Sequence, residues 1–593
     1  MKEFNYPFDA QTLIRKKKRL KRELLNSNQN FISKKIAVLG GSTTAEVVDQ
    51  LELFLLNYGI KPTFYQSEYG KFWEDAVYGN SELDSFNPDL VYIHTNWRNI
   101  TAFPALDDSA KEVQTLQDNE YARLEVMWDK LAEKFGCPII QNNFDRPNIR
   151  LLGNRDIYDI HGKANFIFNL NRGMYGYAQN HPNFFINDLD YISSRYGLDG
   201  FNDGQIWAMY KYCCPIEAIP LIAHSVATII KSIYGKNKKV VVCDLDNTLW
   251  GGVVGDDGAA GIKIGQEDPK GQIFWSFQNY LKDLESMGVL LAINSKNDYD
   301  NAIEGLNHPE GVLKEGDFVA IKANWQNKDQ NMSELASELN LGIDSFVFAD
   351  DNPVERELID NLNCGIAVPD LDQPENYIKT IDHNGYFEAT AITGDDLTRT
   401  KMYHSNAKRK SLEQISSSYE DFLDNLQMKA LIHPFEPLYI ERIAQLTNKS
   451  NQFNLTTRRY SEEDIKTMAN SKNHICLYAK LEDKYGDNGV VSVVIGEKEG
   501  SNLNIKLWLM SCRVLKRELE YAVLDELVRK AIQTGINKIT GYYYPTAKNS
   551  MVKNLYGDFG FTKVSEQDGN TVWELDISNY TPKNKHISVS TEH

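Results

Sequence analysis

Between residues 240 and 351, two closely spaced carboxylates are followed by a hydroxyl, a lysine and a second acidic pair. Asp244 and Asp246 stand two residues apart, directly after the apolar run Val240–Cys243. One carboxylate can therefore attack phosphorus while the other donates a proton to the leaving oxygen. The later groups are Thr248, Ser295, Lys328, Asp350 and Asp351. A hydroxyl can bind a phosphoryl oxygen, a lysine can neutralise charge, and paired aspartates suit Mg²⁺, so the set predicts phosphoryl transfer.

Short apolar runs precede most of these groups. The runs cover 240–243, 289–293 and 346–349, as expected for strands that are buried on both faces of a parallel sheet. Open sheets of this kind bind ligands at the carboxyl ends of their strands, so the polar groups should meet there. Only the glycine-rich segment 251–258 and one helical pattern lie between Thr248 and Ser295. We therefore expect a doubly wound domain without a large cap.

The order of these motifs resembles that of the haloacid dehalogenase superfamily, namely DxDxT, Ser or Thr, Lys, and paired Asp. The resemblance implies that Asp244 forms an aspartyl phosphate, that Asp246 is the general acid and base, and that Thr248 orients them. It assigns phosphate binding to Ser295 and charge neutralisation to Lys328. The implied magnesium ligands are Asp244, the backbone carbonyl of Asp246, and Asp350 or Asp351.

Two longer segments are similar to the FkbH-like proteins, subfamily IIIC of this superfamily. Residues 244–258 read DLDNTLWGGVVGDDG and residues 348–356 read FADDNPVER. The resemblance covers roughly 236 to 580. It implies that 1,3-bisphosphoglycerate, a phosphorylated three-carbon acid, is the glyceryl donor, that phosphate is removed, and that the glyceryl group becomes a thioester on an acyl carrier protein.

The third block of the chain resembles the Gcn5-related N-acetyltransferase fold. Residues 544–549 read YPTAKN and 555–561 read LYGDFGF, similar to its last strand, helix and strand. The implied candidates are Tyr556, which could protonate a thiolate or be a packed core residue, and Asn549. Cys512 and Cys243 could hold an acyl thioester or be buried structural cysteines. Residues 513–518, RVLKRE, replace the small residues of a pyrophosphate loop, which disfavours free coenzyme A but not a phosphopantetheine arm.

The first block resembles the SGNH hydrolases. Ser42 follows an apolar run and two glycines, where the nucleophile of that family sits, and Asn96 follows the run 90–93, as an oxyanion-hole residue would. Two departures disfavour activity, because GGS replaces the usual GDS and no DxxH supplies a base. His224 lies in an apolar stretch and is interpreted as a core or surface residue. A scaffold or docking domain is therefore the alternative to an esterase.

Composition restricts the class of protein. The 593 residues carry 64 Lys plus Arg against 82 Asp plus Glu, a formal charge of −18 that disfavours nucleic acid and anionic membranes as partners. Seven cysteines without CxxC spacing argue against a disulfide framework and favour a reducing cytoplasm.

The sequence as a whole predicts a multidomain α/β protein. We expect an SGNH or flavodoxin-like α/β domain at 1–232, a haloacid dehalogenase-type Rossmann-like domain at 236–380, a helical linker at 381–425, an α+β acyltransferase-like domain at 426–580 and a flexible tail at 581–593. The leading hypothesis is a phosphatase coupled to acyl transfer. The alternatives are a stand-alone small-molecule phosphatase with flanking binding domains, and an assembly or docking protein of a polysaccharide or polyketide pathway.

Overall fold

A computed structural model describes residues 1–27, 31–362, 364–450, 452–546 and 548–590. The chain divides into two compact units, Met1–Tyr234 and Gly235–His593. Each unit contains its own buried apolar clusters.

The first unit is built on a five-stranded parallel sheet in the order β2-β1-β3-β4-β5, the flavodoxin-like order of doubly wound folds. Its strands are β1 (Ile32–Gly40), β2 (Ile60–Gln66), β3 (Leu90–His94), β4 (Ile139–Asn142) and β5 (Phe184–Asn187). Its helices are α1 (Ala10–Arg15), α2 (Lys17–Leu25), α3 (Ala45–Asn57), α4 (Phe72–Val77), α5 (Ser81–Phe86), α6 (Ala110–Phe135), α7 (Lys163–Asn180), α8 (Leu189–Tyr196), α9 (Leu198–Phe201), α10 (Gly204–Tyr210) and α11 (Ile219–Ile233).

The most apolar helix of the first unit is a core helix. Within the described part of the chain, Ile216–Ile233 is the one helical segment long and apolar enough to cross a membrane, and 72% of it is buried inside the unit. His224 on this helix packs its ring 5.1 Å from that of Phe54 and 5.5 Å from that of Phe8. Of the two interpretations of His224, the structure favours the core residue.

The second unit begins with a four-stranded parallel sheet in the order β8-β7-β6-β9. Its strands are β6 (Val240–Cys243), β7 (Leu290–Ser295), β8 (Phe318–Ala323) and β9 (Phe346–Ala349). The accompanying helices are α12 (Val254–Asp257), α13 (Pro269–Ser286), α14 (Tyr299–Leu306), α15 (Lys328–Glu338), α16 (Pro353–Asn361) and α17 (Tyr377–His383). Strands β6 and β9 are buried along their whole length, as continuous apolar runs predict. The doubly wound α/β domain is confirmed.

A nine-stranded mixed sheet forms the rest of the second unit, which confirms the α+β class of this region. Its strands are β10 (Lys429–Pro434), β11 (Phe453–Asn454), β12 (His474–Asp483), β13 (Gly486–Glu499), β14 (Asn502–Met510), β15 (Lys538–Tyr543), β16 (Thr562–Gln567), β17 (Asn570–Asp576) and β18 (Ser588–Ser590). Its helices are α18 (Gly394–Leu397), α19 (Arg399–Ile415), α20 (Tyr419–Leu426), α21 (Ile440–Lys449), α22 (Glu462–Asn470), α23 (Leu519–Gln533) and α24 (Leu555–Asp558). The first three lie in the segment predicted to be a helical linker.

Strands β14 and β15 pair in parallel only from Asn502 to Asn504. Beyond that point β14 pairs with β11 instead. The backbone N–H of Tyr544, just past β15, donates to the carbonyl of Leu455 at 2.9 Å, so the short β11 segment fills the gap where the two strands separate.

The predicted flexible tail needs a correction at its described end. Strand β18 pairs in parallel with β10, and Ile587 just before it is buried. The backbone N–H of Ser588 donates to the carbonyl of Met428 at 3.0 Å. Burial of an isoleucine side chain and a strand ladder hold this segment in place, which its polar composition did not reveal. Residues 591–593 lie outside the described residues.

Candidate active site

The ends of strands β6, β7 and β9 and the start of α15 surround one cleft of about 340 Å³. It is lined by Asp244, Asp246, Asn247, Ser295, Lys296, Lys328, Asp351, Asn352, Pro353 and Glu355. All the sequence-predicted phosphoryl-transfer residues line this cleft or contact residues that do. They meet because parallel strands bring their carboxyl ends to the same edge of a sheet.

Lys328 lies between two carboxylates. Its Nζ is 3.0 Å from Asp244 Oδ1 and 2.6 Å from Asp350 Oδ2, and all three side chains are largely buried. Burial by itself lowers the pKa of Lys328, but the charges of Asp244 and Asp350 outweigh it and raise that pKa overall. The lysine is therefore a fixed positive charge beside the predicted nucleophile.

Three carboxylates crowd together in the cleft and form a candidate metal centre. Oxygens of Asp244, Asp350 and Asp351 lie within 4.8 Å of one another. Burial first, and then the charge of Asp244, raises the pKa of Asp350 to about 6 and also raises the pKa of Asp351. Hard oxygen donors that repel one another in this way suit a divalent cation such as Mg²⁺.

Asp246 is turned toward the glycine-rich segment 251–258. Its Oδ1 accepts from Trp250 Nε1 and from the backbone N–H of Val254, both at 2.9 Å, and its Oδ2 accepts from Asn297 Nδ2 at 2.8 Å. Three donors therefore orient this carboxylate.

The glycine-rich segment needs its glycines. Gly252 has φ +97°, and a Cβ at this position would lie 2.5 Å from an Asp257 carboxylate oxygen. The same Asp257 oxygen accepts from the backbone N–H of Val253 at 2.9 Å. The segment therefore folds as a tight structure that presents the Val254 N–H to Asp246.

Asn297 is a site residue that sequence reasoning missed. Besides its bond to Asp246, its Nδ2 lies 3.3 Å from Ser295 Oγ, so one amide links the predicted acid–base residue to the predicted phosphate-binding hydroxyl. It is buried and follows Ser295 by two residues. The signal was its position directly after a strand end, but asparagine is common in loops and carried no motif.

Thr248 and Arg356 hold the acidic loop after β9. Thr248 Oγ1 accepts from the backbone N–H of Asp351 at 3.2 Å, a different partner from Asp244 and Asp246, which the resemblance has it orient. Arg356 donates to the backbone carbonyls of Asp350 and Asp351 at 3.0 and 2.7 Å. Its second nitrogen pairs with Asp370 and Asp372, so the guanidinium ties three chain segments together.

The other predicted residues of the second unit lie in packed regions of its fold. Tyr556 is fully buried and Asn549 is buried, with Nδ2 donating to the carbonyls of Asn454 and Tyr544 at 2.9 Å. Asn549 thus fastens β11 in the gap between β14 and β15. Cys243 is buried in β6, and burial raises the pKa of its thiol. Cys512 is half-buried, and its carbonyl accepts from Asn340 at 3.0 Å.

The segment 513–518 uses its arginines within the protein. Arg517 pairs with Asp483 at 3.1 Å, and Arg409 pairs with the same carboxylate at 2.7 Å. Glu518 caps helix α23 with φ +60° and Glu520 adds an acid to its first turn. Burial raises the pKa of Glu520 to about 7, so Glu518 is the residue whose charge at this helix start disfavours a pyrophosphate group.

Ser42 and Asn96 both lie at the carboxyl edge of the sheet in the first unit. Ser42 is buried directly after β1, and Asn96 is buried two residues after β3. Two residues that the sequence reasoning did not select, His94 and Cys213, are buried in the same region, with His94 Nε2 3.5 Å from Cys213 Sγ. The region therefore holds a histidine at a strand end, although the sequence has no DxxH motif there.

Comparison with known proteins finds a family match in the first unit. Residues 35–231 match the model of the FkbH N-terminal domain. This segment of the chain is similar to that domain. This match adds to the FkbH-like resemblance of 236–580, which rested on other motifs, and the search of curated proteins finds no significant match.

Among solved structures, the chain is similar to the N-terminal part of protein BF1531 from Bacteroides fragilis, which contains a phosphatase domain and was crystallised with Mg. The identity is 28%, the match covers 63% of this chain and 99% of that one, and the TM-score is 0.58. Two further solved structures match with TM-scores of 0.21. The ribosomal-protein-S18-alanine N-acetyltransferase of Escherichia coli is 14% identical, and the match covers 26% of this chain and 99% of that one. The GNAT domain of S. lividans PAT is 17% identical, and the match covers 24% of this chain and 89% of that one.

Proposed function

We propose that the second unit is a magnesium-dependent phosphatase or phosphotransferase that works through an aspartyl phosphate on Asp244. The observation that carries this proposal is the convergence of Asp244, Lys328 and the Asp350–Asp351 pair on one open cleft, with Asp246 held beside it. The similarity to a structure that contains a phosphatase domain and Mg supports it.

In this mechanism Asp244 attacks the phosphorus atom, and Asp246 gives a proton to the leaving oxygen and later takes one from water. Lys328 and Ser295 bind phosphoryl oxygens, so that charge on the transferring group is countered by fixed groups. Mg²⁺, held by Asp244, Asp350 and Asp351, would supply positive charge that offsets the repulsion between the carboxylates and a phosphate dianion.

The acyl half of the proposal concerns the substrate. We infer that the phosphorylated substrate is a three-carbon acid, 1,3-bisphosphoglycerate, and that its glyceryl group is transferred to the thiol of an acyl carrier protein in the cytoplasm. The FkbH-like match and the motifs at 244–258 and 348–356 support this specificity. The segment between β6 and β7 contains only α12 and α13, which leaves the cleft accessible to a bulky or tethered substrate.

The phosphatase proposal is tested by Asp244→Asn with Asp300→Asn as the matched control. Asp300 is an exposed carboxylate in α14, so its loss should leave phosphate release from bisphosphoglycerate unchanged. Asp244→Asn keeps the shape of the side chain but removes the nucleophile, and phosphate release should fall to the background rate. Undiminished turnover in a folded Asp244→Asn protein would refute the assignment.

The transfer proposal needs a separate readout. The protein is incubated with bisphosphoglycerate, Mg²⁺ and a pantetheine-loaded carrier protein, and the carrier is examined by mass spectrometry for a glyceryl adduct. An adduct that forms only with the full reaction mixture supports glyceryl transfer. Phosphate release without an adduct on any carrier would instead favour the stand-alone phosphatase.

A further inference from the structure

A cluster of buried polar groups lies at the carboxyl edge of the sheet in the first unit, and the phosphoryl-transfer chemistry does not use it. Strands β1, β3, β4 and β5 end there. The cluster contains Ser42, His94, Asn96, Arg98, Asn142, Asp145, Asn187, Cys213 and Cys214, and we call it the thiol cluster. Parallel sheets of this kind bind ligands at this edge.

The central contact of the thiol cluster joins a thiol and an imidazole. Cys213 Sγ lies 3.5 Å from His94 Nε2, and both residues are buried. They are 119 residues apart in the chain, so the packing of the loop after α10 onto the end of β3 creates the pair. A thiol beside a base is the usual arrangement of a cysteine nucleophile.

Hydrogen-bonding groups fix the position of the His94 ring. Tyr92 donates its hydroxyl proton to Asn142 Oδ1 at 3.0 Å, and Asn142 Nδ2 donates to the carbonyl of Thr95 at 3.1 Å. The Tyr92 oxygen lies 2.8 Å and Asn142 Nδ2 lies 3.2 Å from His94 Nδ1. These contacts hold the imidazole ring with Nε2 facing Cys213, the position that a general base requires.

Several buried polar atoms of the thiol cluster make no hydrogen bond to any residue that the structure describes. They are Ser42 Oγ, Asn96 Nδ2, Arg98 Nη1, Asp145 Oδ2 and Asn187 Oδ1. A buried polar atom without a partner costs on the order of 1–3 kcal/mol, so several in one place indicate groups kept for a ligand. Three of them are donors, as needed to bind a carbonyl oxygen that becomes negative during attack.

The electrostatics agree with the geometry. The pKa of the Cys213 thiol lies well below its ordinary value. The neighbouring Cys214 thiol lowers it most, and His94 and Ser42 lower it further, while burial acts in the opposite direction. Burial and the charge of Cys213 raise the pKa of Cys214. Burial raises the pKa of Asp145 to about 7, and the charge of Cys213 adds to the effect.

We infer that Cys213 is the nucleophile of a second reaction centre, with His94 as its base, which accepts acyl groups from esters or thioesters. The thiol proton passes to His94 Nε2 as Sγ attacks the carbonyl carbon. The C–S bond forms, the bond to the leaving alkoxide or thiolate breaks, and His94 protonates that leaving group. Asn96 Nδ2 and the Ser42 hydroxyl donate to the carbonyl oxygen. Water can then release the carboxylic acid.

Helix α10 covers this centre. The backbone N–H of Thr43 donates to the carbonyl of Lys211 at 2.9 Å, and Thr43 Oγ1 donates to the carbonyl of Tyr210 at 2.7 Å. The helix itself has exposed Met209 and Tyr210 side chains and is only seven residues long. Cys213 is 4% exposed beneath this cover, so the experiment uses small acyl donors.

The test uses the full chain with p-nitrophenyl acetate as the ester and S-acetyl-N-acetylcysteamine as the thioester. After acid quenching, peptide mapping by mass spectrometry should find one acetyl group on Cys213 with at least one of the two donors, and the comparison shows which class is used. An acetyl group on Ser42 instead of Cys213, or no acetyl group on either residue with both donors, overturns the inference. This map requires no variant, so a folding defect cannot obscure it.

Variants then separate the base from a merely structural histidine. His94→Gln should slow acetylation of Cys213 by on the order of a hundredfold and move the pH profile of its alkylation by iodoacetamide upward. The other groups that face Cys213 and shape this profile are Cys214, Ser42, Tyr92, Asp145 and Arg98.

Cys137→Ser, which changes a buried cysteine of the same unit, is the matched control and should change neither readout. An unchanged profile in folded His94→Gln would contradict the assigned base. Acetylation should also persist in Asp244→Asn, so the two proposals can fail independently.

Discussion

The phosphoryl-transfer cleft and the thiol cluster both lie at the carboxyl edge of a parallel sheet, but they expose their groups to different degrees. The cleft is open and polar, and its acidic groups are balanced by Lys328. The thiol cluster is closed, its Cys213 residue is 4% exposed, and several of its polar atoms have no partner within the described chain. The same architecture thus supports a cation-dependent site that water can reach and a nucleophile kept from water.

Removal of divalent cations should separate the two sites most completely. Chelation with EDTA is expected to abolish phosphate release, because Asp244, Asp350 and Asp351 would repel a phosphate dianion, and to leave acetylation of Cys213 unchanged. Mg²⁺ should also stabilise the protein, by about 2.7 kcal/mol at a hundred times its dissociation constant. Phosphate release and melting temperature measured with and without Mg²⁺ check both effects. Full phosphate release in EDTA would break the comparison.

Lys328→Met should have the next largest effect. The lysine is buried between Asp244 and Asp350, and its loss leaves two carboxylates without their counter-charge. Phosphate release should fall by a factor of about 10² to 10³, and the free energy of unfolding by about 3–5 kcal/mol without Mg²⁺. Denaturant unfolding and steady-state kinetics measure the two. Lys322→Met, a lysine with surface partners, is the control.

Asn297→Ala tests whether the amide that joins Asp246 and Ser295 positions them. We expect kcat to fall between about 10-fold and 100-fold with a smaller change in KM, because substrate binding does not depend on the amide itself. Asn307→Ala removes an exposed asparagine directly after α14, the helix that Asn297 precedes, and should have no effect. A rise in KM alone would show that Asn297 serves substrate binding instead.

Tyr556→Phe should have the smallest effect. The tyrosine is fully buried and its hydroxyl makes no hydrogen bond to the residues that the structure describes, so losing the oxygen removes no interaction. The free energy of unfolding should change by less than about 1 kcal/mol, and transfer to a carrier thiol should be unaffected. Loss of transfer with normal phosphate release would restore Tyr556 as an acid in that reaction.

The sequence predicted the elements of the phosphoryl-transfer domain well because its strands are short, continuous and apolar. Val240–Cys243 and Phe346–Ala349 are strands with the predicted bounds, while β7 begins one residue later than expected and ends two residues later. The end of the chain was harder to predict. Ser588–Ser590 is polar, and its pairing with β10 depends on a strand more than a hundred residues away.

The residues of the candidate sites also fall into those that the sequence predicted and those that it did not. Asp244 and Asp246 are two residues apart after a strand, which fixes their relative positions locally, and the later motifs follow strand ends of the same sheet. Asn297, His94 and Cys213 were not selected, because loops and side chains from distant segments bring them to their partners. Tyr556 and Asn549 carried a motif, but the structure places both in packed regions.

The amino-acid sequence alone determined which residues could carry phosphoryl transfer, since strand-end carboxylates in a fixed order leave little conformational choice. Only the tertiary structure decided what surrounds them. It showed that three donors orient Asp246, that Lys328 neutralises two acids, and that a buried imidazole faces a thiol 119 positions away in the chain. Burial and pairing depend on contacts between segments that are distant in sequence, and no local pattern encodes them.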